Sequence, residues 1–309
     1  MDDSKRYVAR LKFKLEVFES KATAFQDLFS RVMTKAFHDF QIVHTQGRKG
    51  DQKNDGFIPS KGIYYQVYAP EKPEKSTKKA IEKLETDFNG LVKLWNKETP
   101  VKEFYFVLND EYRGNYPDIH HAVASLQKTN KDTKIGLFLP KDIEDIFLSL
   151  PEEKIQDIIG YLPGDGGLEG VDYDVLTEVV TYLLKNVKSI PDDGSLEVPN
   201  FDDKIRFNKL SGNISALLTT ANFQASVLYD FFQNNSGFCR KDLRDKFSVL
   251  YKESLAEIPD YASSKNDLVF FDILRKSTPQ KTKNAQDAVL VLMSYFFESC
   301  DIFEEPKNI

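Results

Sequence analysis

The stretch from Gln46 to Glu71, QGRKGDQKNDGFIPSKGIYYQVYAPE, constrains the fold more than any other part of the chain. Gly47, Gly50 and Gly56 permit turns that other residues resist. Between them Asp51 and Asp55 stand four apart. A short β-rich run, Ile63 to Val67, follows, and Pro70 cuts it off. Ile63, Tyr65 and Val67 face one way on such a strand, and Tyr64, Gln66 and Tyr68 the other. Pairing as a hairpin puts Asp55 on the face of Gln66 and Tyr68. An acid-bearing turn that feeds a strand is a common way to build a metal-dependent site for cleaving phosphodiesters.

The chemistry follows from the residue types. Neighbouring carboxylates raise each other's proton affinity unless a cation sits between them. A divalent ion, Mg²⁺ or Mn²⁺, would supply that cation, and a phosphate would then bind the ion and the flanking Arg48, Lys49 and Lys53. The amide oxygen of Gln66 is a legitimate ligand for a hard cation, and Glu71 offers a second carboxylate just past the strand. The expected metal ligands are therefore Asp55, Gln66 and Glu71, with Asp51 and Tyr68 as further catalytic candidates. Tyr68 can hold a phosphate or orient water through its hydroxyl. The plainer reading is a solvated, charged hairpin, because Asn-Asp and Asp-Gly are ordinary turn pairs.

The rest of the front half reads as an α/β domain over residues 1–140. Residues 8–17 alternate weakly and suit a short strand or the lead-in to a helix. A helix is expected from Thr23 to Phe40, because Phe25, Leu28, Phe29, Val32, Met33, Ala36 and Phe37 form one stripe. Thr23 is its expected cap, and Gln26 and Asp27 lie in its first turns. A second helix runs from Ser76 to Trp95. Lys75, Lys78, Lys79 and Lys83 crowd its start, where the helix dipole disfavours cations, which suggests a phosphate backbone as their partner. Glu103–Leu108 and residues 134–139 read as strands, with a short helix from Ile119 to Leu126 between them. Arg113, beside Tyr112 and Tyr116, is placed to grip a nucleic acid or a partner. The element order gives a small mixed sheet flanked by helices.

Residues 141–309 read as a mostly α-helical domain. The segment YLPGDGGLEG has glycines but no Gly-Lys-Ser/Thr, which excludes a P-loop. A polar linker covers 188–203. Ala216 to Phe232 is strongly periodic and reads as one helix. The last helix, Ala285 to Glu298, is apolar on more than one face, so it is either a central core helix or meets a partner. Residues 1–140 hold 24 basic and 19 acidic residues, a balance of +5, and the remainder 18 and 29, a balance of −11. A basic front suits a polyanion. Cys239 and Cys300, the only two cysteines, form no CxxC pair, which indicates a reducing compartment. No signal-peptide core or membrane-span length is seen, so a cytoplasmic protein without membrane contact is expected.

FQDLFSRVM, GRKGDQKNDG and YYQVYAPE together resemble the start of a restriction-endonuclease-like (PD-(D/E)XK) fold of the Mrr and Cap4 kind. The resemblance places Gln26 or Asp27 at the helix acid, Asp55 at the essential aspartate and Gln66 at the E/Q ligand. Tyr68 falls where that family has lysine. The opening block, EFYFVLND and the tail SYFFESCDIFEEP resemble effector components of bacterial ABC-three-component, Lamassu-related anti-phage systems. That resemblance implies an SMC/Rad50-like ATPase and a small accessory subunit as partners, with the C-terminal half docking onto a partner protein. It also implies double-stranded DNA as target of a Mg²⁺-dependent endonuclease; cutting both strands calls for a homo-oligomer. The alternative is a silent nuclease-like adaptor that binds DNA or the ATPase.

Overall fold

The computed structural model describes residues 1–44, 52–70, 77–97, 99–162, 168, 171–185, 200–235, 237–299 and 302–306. Two compact units are present. One comprises Met1 and Phe13–Ile159, the other Asp2–Lys12 and Gly160–Ile309.

The segment 8–17, read as a short strand or the lead-in to a helix, is helical: it lies within α1 (Asp3–Glu19), which contributes to both units. In the first unit α2 (Thr23–Ala36) leads to strands β1 (Gln41–Ile42), β2 (Gly56–Ile58) and β3 (Ile63–Tyr68). Helix α3 (Thr77–Trp95), β4 (Glu103–Leu108), α4 (Pro117–Thr129) and β5 (Lys134–Phe138) follow, then α5 (Pro140–Ser149) and α6 (Glu152–Ile159). Thr23 does not cap α2. The N-cap is Ala22 at φ 47°, whose N–H donates to Ala69 O at 2.8 Å. Pro140 opens α5 at the first helical position, where its missing N–H costs nothing.

The sheet order is β1-β2-β3-β4-β5. The first three strands pair antiparallel, and β3, β4 and β5 pair parallel through the crossovers α3 and α4. Central β3 is therefore covered on both faces. One face is a cluster of Tyr64, Phe104, Phe106 and Leu108 under Leu84, Phe88 and Leu91 of α3. On the other, Tyr65 stacks on Tyr105 at 5.6 Å and meets Phe29 of α2 at 5.4 Å.

The second unit is helical: α7 (Tyr173–Leu184), α8 (Phe201–Phe207), α9 (Gly212–Asn222), α10 (Ser226–Asn234), α11 (Gly237–Glu257), α12 (Lys265–Ser277) and α13 (Lys283–Glu298). The expected linker lies outside the described residues as far as 199. Helix α13 settles one of the two expectations for it. Every residue from Ala285 to Phe297 is buried, against α7, α9, α11 and α12, so it is the core helix. The expected single helix over 216–232 is two. At the junction Gln224 and Ala225 bond back three residues, to Ala221 and Asn222, and this tightening ends α9. Among the described residues no helix is long and apolar enough to cross a membrane.

A buried carboxylate ties α12 to acid stability. Asp272 is 1% exposed; Arg275 and Lys276 pair with it at 2.7 and 2.8 Å. Burial raises its pKa, but Lys276, Ser254 and Arg275 more than offset that, and the net shift is downward. Its stabilising contribution is therefore full above the unfolded carboxyl value of about 3.9 and is lost as pH falls through the lower folded value. Asp272→Asn should flatten the acid limb of a urea-midpoint-against-pH curve below about pH 4. An unchanged acid limb would remove Asp272 from the cause.

Candidate functional site

Asp55 is built into the sheet by its neighbours. Its N–H donates to Tyr65 O at 2.8 Å, and its carbonyl accepts from Val43 N–H at 3.1 Å. The β2–β3 register pairs Gly56 with Tyr65, which sets Asp55 opposite Gln66. Gly56 is required there, because a Cβ would lie 2.4 Å from the Phe40 ring. The preceding turn is also fixed. Gln52 and Lys53 are left-handed, at φ 52° and 72°, and Trp95 Nε1 donates to Gln52 O at 3.1 Å. The Lys53 stem lies on Gly90 of α3, where a Cβ would sit 2.9 Å from Cγ.

The Asp55 carboxylate is 5% exposed and surrounded by amides. Oδ1 accepts from Gln26 Nε2 at 2.8 Å, and Oδ2 from Gln66 Nε2 and from Val67 N–H, both at 2.7 Å. The structure thus brings Asp55, Gln66 and Gln26 together. Asp27, the alternative on α2, is exposed. Among the described residues, three buried side-chain atoms of this segment have no hydrogen-bond partner: Gln66 Oε1, on the amide that bonds Asp55, and both ends of the Asn54 amide. Asn54 is 0% and Gln66 2% exposed. Leaving such a group unmet costs about 1–3 kcal/mol, so orphaned atoms in a native interior mark a place where water or an ion belongs.

The cationic candidates are spread differently. Lys53 Nζ lies 2.9 Å from Asp87 Oδ1, and Lys83 Nζ 2.5 Å from Asp87 Oδ2. One buried carboxylate on α3 therefore anchors two ammonium groups. Lys78 and Lys79 are exposed on the first turn of α3. Tyr68 ends β3 with its ring stacked on Phe106 at 5.8 Å. Asp51, Glu71, Arg48, Lys49 and Lys75 lie outside the described residues. Among the described residues no three His, Cys, Asp or Glu side chains converge as a metal cluster.

The loop after β4 carries Arg113, which is exposed. Asn109 fastens the start of that loop through Nδ2 to Val17 O and Ser20 O, at 3.1 and 2.9 Å. Asp110 accepts from the N–H groups of Tyr112 and Gly114 at 3.0 and 3.2 Å. Burial first, then repulsion from Asp142, outweighs those bonds and raises its carboxyl pKa. Glu111 pairs with Lys21. Burial, then the charge of Arg113, lowers the Lys21 pKa, so two cations are neighbours here.

Sequence reasoning passed over Asn54 and Asp87. Asn54 is disguised as turn chemistry, and Asp87 sits in a lysine-rich helix that reads as surface. The signal for Asp87 was its place on the apolar stripe, three residues after Leu84 and one before Phe88.

In the helical unit Asn208 clasps the chain end: Nδ2 donates to Glu304 O at 2.8 Å and Oδ1 accepts Glu304 N–H at 2.9 Å. The stretch from α7 to that clasp coincides with a known domain. Residues 174–304 match the family described as C-terminal domain 10 of the ABC-three component (ABC-3C) systems. This match supports membership of an ABC-3C defence system, and with it other components of the system as partners. The sheet-bearing unit lies outside the matched residues. No curated protein and no solved structure matches the chain.

Proposed function

We propose that the chain is a metal-dependent DNA endonuclease effector of its ABC-3C system, controlled by an SMC/Rad50-like ATPase partner. In this reading the sheet-bearing unit is the PD-(D/E)XK nuclease-like domain and the helical unit the partner-docking domain. The observation that carries this reading is the meeting of Gln26, Asp55 and Gln66 beside orphaned amide atoms. The topology supports it: a helix, an antiparallel three-strand run, then a crossover helix into a parallel strand.

The residues fit Mg²⁺ or Mn²⁺. The donors are hard oxygens, as such ions require. Turning the Gln66 amide over aims Oε1 at Asp55, an arrangement stable only with a cation between them. Asp55 and Gln66 would hold the ion, with Glu71 as a further ligand. When bound, the ion polarises a phosphate and makes its bound water acidic. Asp51 or Glu71 would orient a water at this site. A local lysine would offset the charge of the transition state in place of Tyr68. Arg48, Lys49, Lys75, Lys78, Lys79 and Arg113 bind the backbone of double-stranded DNA.

A second reading, a silent adaptor for DNA or the ATPase, is favoured by Tyr68 in the place of a lysine. Plasmid cleavage by the full chain, alone and with the ATPase, separates the two. The nuclease converts supercoiled plasmid in Mg²⁺ or Mn²⁺ and not in EDTA. Binding of DNA or ATPase with no cleavage in any of these conditions leaves the adaptor.

A further inference from the structure

We propose that the cleft at the carboxyl ends of β3 and β4 is a slot for one unpaired nucleotide of a single-stranded polynucleotide. Its role beside a scissile phosphate rests on the nuclease reading; its capacity to bind does not.

The cleft has a volume of about 310 Å³ and is lined by Tyr68, Leu108, Asp110, Arg113, Asn115 and Tyr116, among others. That volume lies at the small end of the range for ligand sites, roughly 300–1,000 Å³, and has room for a nucleotide but not for a base pair. The lining supplies what each part of a nucleotide needs. Tyr116 is 51% exposed, an aromatic ring open to a base. Tyr68, also in the lining, has its ring held by its stack on Phe106. Base-on-aromatic stacking tolerates any base, because every base has a π face. Asn115 Nδ2 is buried and has no acceptor among the described residues, so a hydrogen-bond donor is left for a ligand. Arg113 is exposed at the rim, and its guanidinium is the kind of donor that suits a phosphate.

The position is equally specific. Tyr68 is two residues beyond Gln66 on the same face of β3, roughly 7 Å along the strand. A strand that stacks a base at Tyr68 therefore carries its neighbouring phosphate toward Asp55 and Gln66. Open α/β sheets place ligands in this same region, outside the carboxyl ends of parallel strands.

The test uses the full chain in EDTA, so that no cleavage intervenes. Binding of a short fluorescein-labelled oligothymidylate is compared with binding of a duplex of equal length, by fluorescence anisotropy. We expect the single strand to bind with a share of its affinity that depends on Tyr116, and binding of the duplex not to depend on Tyr116. Tyr116→Ala should weaken binding of the single strand about tenfold, the loss of one stacked base. Tyr116→Phe, which keeps the ring, should restore wild-type affinity. Arg113→Ala should weaken binding and reduce its salt dependence. No binding of the single strand, or a Tyr116→Ala variant that binds the single strand as wild type, would overturn the slot. Tyr116-dependent binding without Mg²⁺-dependent cleavage would retire the nuclease and leave the slot standing.

Discussion

Asp55→Asn is expected to abolish Mg²⁺-dependent plasmid cleavage while leaving the protein folded. The reason lies in the donors around the carboxylate. In this variant an amide oxygen at the Oδ2 position still accepts from Gln66 Nε2 and Val67 N–H. The new amide nitrogen faces Gln26, which is only partly buried and can turn its oxygen inward. These three hydrogen bonds are then remade, but the negative charge that would hold a divalent cation is gone. Asp55→Ala is harsher. It strands Gln66 Nε2 and Val67 N–H without acceptors, at about 1–3 kcal/mol each, and should lower the melting temperature as well. Millimolar Mg²⁺ should raise the melting temperature of the wild type by mass action, and not that of Asp55→Asn. Cleavage persisting in folded Asp55→Asn would end the assignment of this site.

Strands β3, β4 and β5 were legible because their signals are local. Aromatic and β-branched runs bounded by Pro70 and Pro140 mark β3 and β5, and EFYFVL marks β4. The meeting of Asp55 and Gln66 was legible for a related reason: an antiparallel hairpin turns sequence spacing into register. Beyond the hairpin, spacing stops helping. Gln26 and Asp27 are adjacent in sequence, and only the packing of α2 shows that Gln26 reaches the carboxylate. Asn54 and Asp87 matter for what surrounds them, and surroundings are tertiary. The break between α9 and α10 was hidden because apolar periodicity runs straight through it. Phe223, at the break, is 83% exposed, an apolar residue that burial would never have assigned there.

The largest loss of stability is expected in the helical unit, from Phe296→Ala. Phe296 is 0% exposed, and its ring meets Phe247 at 5.3 Å, Tyr295 at 5.2 Å and Phe232 at 6.4 Å. Truncating a phenylalanine so enclosed costs about 3–5 kcal/mol, as transfer energy and as a cavity the bundle cannot close. A typical domain holds about 5–15 kcal/mol in all, so the variant should lose helical circular dichroism at markedly lower urea. Phe223→Ala is the control, and at its exposed site a change within about 0.5 kcal/mol is expected. Equal urea midpoints for the two variants would mean that α13 is not the core. The same burial bears on partner docking. A helix enclosed from Ala285 to Phe297 has no face left to offer. A partner of the proposed docking domain must therefore meet its other helices, where Phe207, Phe223 and Tyr229 expose half or more of their surface.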